Sequence, residues 1–227
     1  MSKPIKKSDQ EKPWFRKQLQ SKPIQIETTP KGKSFLIICE GSNTEPQYFK
    51  AFPVGNADVE SYGLGSSKTA LVKSVLETIK DDEDAKRKEV WVVFDMDIKC
   101  DQSGQLKEDF NRAIELARSK KLKVAYSNDA FELWFLLHYQ YFDNQITRHE
   151  YYEKLNELWD CNYEKVGKKI GFCKNIYRRL EEDKRASQSM AIMNASKLLQ
   201  KQIDLILSEQ NPCTTVFELV EELNKYL

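Results

Sequence analysis

Nothing in the 227 residues approaches the run of about 20 apolar positions that a membrane helix needs. The opening Met-Ser-Lys-Pro-Ile-Lys-Lys also lacks the apolar stretch of a secretion signal. A bias of charge is missing too: 36 basic residues against 35 acidic ones leave +1, so composition alone selects neither a nucleic-acid binder nor an acidic surface. The five cysteines, Cys39, Cys100, Cys161, Cys173 and Cys213, are odd in number, scattered, and never in a C-x₂-C spacing. That excludes a disulfide framework and a zinc-finger type of site, and it suits a reducing compartment. A cytoplasmic protein without a membrane segment or internal repeat is expected.

What is present is unevenly distributed. Residues 1–33 hold nine basic residues against three acidic ones, leaving 27 against 32 in the remainder. This first stretch is Lys-, Gln- and Pro-rich with Trp14-Phe15 as its one hydrophobic pair, and it reads as a flexible basic arm.

From residue 34 the chain changes character. The apolar run 34–39 is too short for a buried helix and suits a strand covered on both faces. Thr44, followed by Pro46, is read as the cap of a short helix. A weak strand at 57–62, a helix at 67–80, a strong strand at 90–94, a helix at 106–120 and a strand at 122–126 complete an alternating βαβαβαβ order. With right-handed crossovers this predicts a parallel sheet with helices on both faces, an α/β domain over 34–128. Beyond Asp129 the pattern is helical: an apolar helix around 131–137, a capping box at Thr147-Arg148-His149-Glu150, and helices near 170–183, 187–208 and 214–226. A helical C-terminal domain, 129–227, packed on the first, is expected.

The chemistry concentrates where apolar strands end. Ile37-Ile38-Cys39-Glu40-Gly41 closes the first strand and Val92-Val93-Phe94-Asp95-Met96-Asp97 the third, so Glu40 and Asp95 should converge at the carboxyl edge of the sheet, where open parallel sheets bind ligands. If the strand persisted to Asp97, its side chain would share a face with Asp95. Such carboxylates repel unless a cation neutralises them, and a hard divalent ion, Mg²⁺ or in its place Mn²⁺, does so with carboxylate, water and phosphate oxygens. Glu40, Asp95 and Asp97 are therefore candidate metal ligands, with Glu40 equally suited to proton transfer. Gly41 would let a phosphate approach the backbone closely.

Other candidates carry competing readings. Glu132 fits a capping box with Asp129, yet an acid inside an apolar helix needs a partner, which makes it a fourth catalytic candidate. Asn128 is a cap or a phosphate contact. Thr44 and Glu45 are helix-start residues or phosphate contacts. His138 and His149 are core and capping residues, with proton carriage by His138 as the alternative. Lys165, Lys168, Lys169, Lys174 and Arg178, interleaved with Tyr163, Phe172 and Tyr177, form either a nucleic-acid groove with stacking or a charged face with its aromatics turned inward.

The stretches FLIICEGSNTEPQYF at 35–49, VWVVFDMD at 90–97, AYSNDAFELWFLLHY at 125–139 and NPCTTVFELVEEL at 211–223 resemble the RloB family of bacterial defence-associated proteins. The resemblance implies a Toprim-like domain in which Glu40, Asp95 and Asp97 serve metal-dependent phosphodiester chemistry. It further implies a nuclease acting on DNA or RNA, with transfer RNA among the candidate substrates, in antiviral defence beside an ATPase partner protein. An assembly of several copies is compatible with it. The alternative is a non-catalytic nucleotide- or metal-binding subunit of such an ATPase complex.

Overall fold

Along 33–39, KSFLIIC, alternate side chains belong to two separate apolar cores, and this alternation seats the strand between two layers. In the computed structural model, which describes residues 32–55, 57–64, 67–97 and 104–227, Phe35, Ile37 and Cys39 enter one core while Leu36 and Ile38 enter the other. Strand β1 (Lys33–Cys39) is followed by α1 (Thr44–Lys50), β2 (Ala57–Gly63), α2 (Lys68–Asp81), β3 (Glu89–Asp95), α3 (Gln105–Ser119) and β4 (Lys123–Asn128). The same division holds in β3, where Trp91 and Val93 face the first core and Val90, Val92 and Phe94 the second. Helices α2 and α3 cover the second core, with Leu71, Val72, Val75, Phe110, Ala113, Ile114 and Ala117 all turned into it.

The first core is closed by the C-terminal helices α4 (Glu132–Leu137), α5 (Arg148–Trp159), α6 (Tyr163–Val166), α7 (Ile170–Cys173), α8 (Ile176–Glu182), α9 (Gln188–Lys201) and α10 (Val216–Asn224). Helix α4 is buried on every side, as the apolar run Leu133–Leu137 after its first residue requires. A single apolar cluster runs from Phe35 of β1 to Leu223 of α10, and Gly32–Leu227 form one compact unit.

With a short β5 at Cys213–Thr214 the strand order is β2-β1-β3-β4-β5, and β1 to β4 are parallel. The mixed α/β architecture expected from the alternating pattern is thus present, and it departs from expectation at the C-terminus. Ahead of the helix expected from 214, Asn211-Pro212-Cys213-Thr214 carries β5 (Cys213–Thr214), which pairs antiparallel with β4. Tyr126 N–H donates to Thr215 Oγ1 at 2.9 Å and Thr215 N–H to the Tyr126 carbonyl at 2.8 Å, which extends this seal along the edge.

Smaller departures have local causes. The helix expected over 170–183 is broken between α7 and α8, where the Asn175 amide donates to the Gly171 carbonyl at 2.8 Å, the competition for backbone groups that makes Asn a poor interior residue. Thr44 is the first helical residue of α1 rather than its cap. Lys33, assigned to the arm, belongs to β1 and pairs with Glu89 and Glu222, each at 2.7 Å. Residues 1–31 of that arm lie outside the described residues. No helix among the described residues is long and apolar enough to cross a membrane.

Candidate functional site

Strand order places the site. Beside β1 the chain reaches β2 in one direction and β3 in the other, so the loops after β1 and β3 diverge and leave a crevice at their carboxyl ends. Glu40 stands on one side and continues the pairing through its N–H to the Val93 carbonyl at 2.8 Å. Its Oε2 accepts from the Asp95 N–H at 3.4 Å, so the two strand ends are in contact.

Asp97 reaches the site by another route than the one expected. Strand β3 stops at Asp95, and Asp97 adopts φ of 57°, in the left-handed region. Met96 turns into the second core, and one Nη2 of Arg148 pairs with Asp97 Oδ1 and stands 3.8 Å from Asp95 Oδ2. The two aspartates share a guanidinium rather than a strand face.

Helix α4 brings the fourth acid. Glu132 is wholly buried at its first position, and the residue that precedes the helix is Phe131 rather than Asp129. Glu132 Oε1 instead accepts from Tyr163 Oη at 3.0 Å and from Lys168 Nζ at 2.9 Å. Glu45, also buried, lies over Gly41: a Cβ on that glycine would stand 2.6 and 2.7 Å from Glu45 Oε1 and Cδ. A side chain at position 41 would therefore have to push the Glu45 carboxylate aside.

The electrostatics divide these acids into two groups. Burial raises the proton affinity of Glu40, against the pull of Lys68, whose Nζ is 3.1 Å from Oε1, with Asp97 adding to the rise. Burial likewise raises Asp95 far above the usual carboxylate range, reinforced by Glu45 and Glu132 and opposed by Arg148 and Lys168. Glu45 rises for the same first reason. Glu132 is the exception: burial would raise it, but Lys168, with Arg148 behind it, holds it below its ordinary value. Asp95 Oδ1 and Glu132 Oε2 are buried with no hydrogen-bond partner, although Asp95 Oδ2 accepts from the Phe131 N–H at 3.0 Å.

Five carboxylates, Glu40, Glu45, Asp95, Asp97 and Glu132, therefore face three cations, Lys68, Arg148 and Lys168. The donor chemistry fits a hard divalent ion in its oxygen ligands, which outnumber the protein's own cations. As the side chains stand, however, no group of three or more His, Cys, Asp or Glu among the described residues is disposed to hold a metal. Glu40, Asp97 and Glu132 each give an oxygen to a protein cation instead.

The remaining candidates fall elsewhere. Asn128, the last residue of β4, donates to the Ser208 carbonyl at 3.3 Å and leaves its Oδ1 buried without a partner. Thr44 Oγ1 lies 3.8 Å from Cys173 Sγ. Of the basic segment, Lys168 alone joins the carboxylates, while Lys165, Lys169, Lys174 and Arg178 are exposed. The stacking version of a groove is not built there, because Tyr163 and Tyr177 are buried and Phe172 packs against the core. Lys99, which follows the Asp-x-Asp pair, lies outside the described residues.

His138 is a core residue, 2% exposed, with Nδ1 donating to the Trp134 carbonyl at 2.9 Å. Burial lowers its pKa from 6.5 to about 4, so it is neutral near pH 7. A base depressed on folding contributes stability that is present above the unfolded pKa and lost as pH falls through the window from 6.5 to about 4. The loss is about 3 kcal/mol across that window. Urea midpoints measured at pH 7 and pH 4.5 should show it, and His138→Gln should flatten that part of the slope.

Two further residues belong to the site: the ammonium of Lys68 and the guanidinium of Arg148, both at helix starts, each meet a site carboxylate.

The fold and the crevice together define an α/β protein with a carboxylate centre, partly neutralised by its own cations, at the carboxyl edge of a mostly parallel sheet. Residues 35–223 match the family of RloB-like proteins, and the chain belongs to that family. No curated protein and no solved structure matches it.

Proposed function

We propose that the protein cleaves phosphodiester bonds of DNA or RNA with a bound divalent cation, Mg²⁺ or Mn²⁺, as an effector of bacterial antiviral defence. The observation that carries this reading is the pair of buried, unpartnered carboxylate oxygens, Asp95 Oδ1 and Glu132 Oε2, at a strand edge where acids outnumber cations. An unsatisfied buried acceptor costs about 1–3 kcal/mol, more when charged, and such a cost is retained where a ligand removes it. Defence and an ATPase partner rest on the family resemblance, and transfer RNA as a substrate on analogy alone.

Asp95 and Glu132 would hold the ion, with Glu40 and Asp97 completing the acidic rim. A bound Mg²⁺ supplies charge stabilisation at the attacked phosphate and favours ionisation of an attacking water. Glu40, raised by burial and steadied by Lys68, is suited to take or return a proton. Arg148 and Lys168 carry the positive charge that orients phosphate oxygens in the crevice.

Labelled DNA, RNA and transfer RNA incubated with the full chain in Mg²⁺ or Mn²⁺ should be cut, and excess chelator should stop the reaction. Cutting that persists in chelator would falsify the metal-dependent reading. A second reading, a non-catalytic subunit of an ATPase complex, is favoured by the ion pairs of Glu40, Asp97 and Glu132, which neutralise much of the centre without any ion. Retained ion binding without cleavage, also in the presence of the partner ATPase, would select it.

A further inference from the structure

Strand β2 ends the sheet on one side: among the described residues it pairs with β1 alone. Register sets what it presents. Leu36 stands beside Glu60 and Ile38 beside Tyr62, so Glu60 and Tyr62 share the face that carries the second core. A cavity of about 450 Å³ opens there, and Leu36, Ile38 and Val75 give it an apolar lining. Tyr62, also in the lining, is 48% exposed, and Lys50 Nζ stands 5.4 Å from its ring centroid.

The charged groups around the cavity balance, Lys50 and Lys88 against Glu60 and Asp82. Several are already engaged. Lys88 Nζ lies 2.7 Å from Glu60 Oε1, and Asp82 Oδ1 accepts from the Asp84 N–H at 2.8 Å. An apolar pocket of this size with a half-exposed ring and no net charge suits a flat, uncharged ligand rather than a phosphate.

This pocket adjoins the carboxylate crevice. Ser42, two positions after Glu40, lines it. A Cβ on Gly63 would overlap the Gly41 carbonyl oxygen and Ser42 Cα, and the Leu64 N–H donates to the Cys39 carbonyl at 3.0 Å, so the end of β2 is packed on the loop after Glu40. The same loop is tied on its other side, where the Asn43 amide donates to the Lys168 carbonyl at 2.9 Å and Lys168 Nζ rests on Glu132. One short loop thus fixes the pocket relative to the acids.

Resting on nucleic acid as the substrate, we infer that this pocket receives an unpaired base of the strand whose phosphate enters the crevice, with the base stacked on Tyr62. Ser42 and Gln47 bring a hydroxyl and an amide to the edge of that base. A base is free to enter only from a single strand, a loop or an end, so the substrate class is unpaired nucleic acid rather than closed duplex. Stacking on a ring accepts any base, so the pocket selects strand state and not sequence.

The test uses the full chain in chelator, where binding is read without cutting. A short labelled single strand should bind more tightly than the same strand annealed to its complement. Tyr62→Ala should weaken single-strand binding by at least about fivefold, the lower end of base–aromatic stacking, and Tyr62→Phe should restore it. A second measurement needs no variant: a strand carrying a halogenated pyrimidine, irradiated on the wild-type chain, should crosslink at Tyr62, read by peptide mass spectrometry. Unchanged affinity in a folded Tyr62→Ala, a preference for duplex, or crosslinks that map only to other segments overturns the base pocket and leaves the cleavage assay to decide the metal reading. Tyr62-dependent binding by a chain that never cuts in Mg²⁺ or Mn²⁺ upholds the pocket and overturns the metal reading.

Discussion

Replacing Asp95 with Asn should abolish cleavage and at the same time stabilise the ion-free fold. The two effects share one cause. In the absence of an ion Asp95 is buried beside Glu45 and Glu132, with one oxygen unpartnered and Arg148 no nearer than 3.8 Å. An amide keeps an oxygen for the Phe131 N–H, removes the charge, and brings a donor among neighbouring acceptors. We expect a gain of about 1 kcal/mol at pH 8, the order of one relieved buried polar group. Direction follows from linkage. An acid raised on folding contributes stability that is present below its unfolded pKa and is lost as pH climbs through the raised value, so the variant should be the more stable at high pH and lack that decline. Cleavage should fall by roughly three powers of ten, since about 4 kcal/mol of metal-borne stabilisation depends on this ligand. Urea denaturation in chelator and rate measurements in Mg²⁺ read the two arms, and a variant both less stable and fully active would remove Asp95 from the centre.

Trp134→Ala should be the most destabilising single change near the site. The indole is fully buried, its N–H donates to Tyr48 Oη at 2.8 Å, and its ring meets His138 edge-on at 4.9 Å. Tyr48 in turn is ringed by Phe49, Phe52, Phe131, Phe135 and Tyr177. Truncation leaves a cavity in that cluster and costs about 3–5 kcal/mol, plus about 1 for the lost hydrogen bond. A fall in melting temperature of roughly 10 °C or more follows for a chain of this size. Glu132 lies two residues earlier in the same short helix, so cleavage should fall well below the folded fraction alone. Trp134→Phe, which fills most of the space, should recover the larger part of both. A loss under about 1 kcal/mol would show that α4 tolerates the cavity and that the acid is placed by other contacts.

The sheet was legible because its two central strands, β1 and β3, are short apolar runs that end at an acid, a pattern that burial on both faces explains. Strand ends also gave Glu40 and Asp95, and an acid stranded in an apolar helix gave Glu132. What stayed hidden were the partners. Lys68 and Arg148 each occupy the first position of a helix, where the backbone dipole disfavours a cation. That anomaly is a signal: a basic residue at the wrong end of a helix is placed by a tertiary acid. It was masked in Thr147-Arg148-His149-Glu150 by a capping box that is real, with Thr147 Oγ1 accepting from the Glu150 N–H at 3.4 Å and Glu150 returning to the Thr147 N–H at 2.6 Å. Asn128 misled for the opposite reason. Asn-Asp before a helix suits a cap, but β4 runs two residues further than its apolar pattern and carries Asn128 into the sheet edge that β5 closes.

The Asn43 amide that grips the Lys168 carbonyl spans 125 positions of sequence. Closing so long a loop offers no reward until both ends are already folded, so the acidic centre is among the last features a newly made chain completes. Fragments that stop short of Lys168 carry Asp95 and Glu132 without the ammonium that offsets them. Under the proposed nuclease reading, cleavage would await the finished molecule, since no shorter stretch carries the full set of site charges.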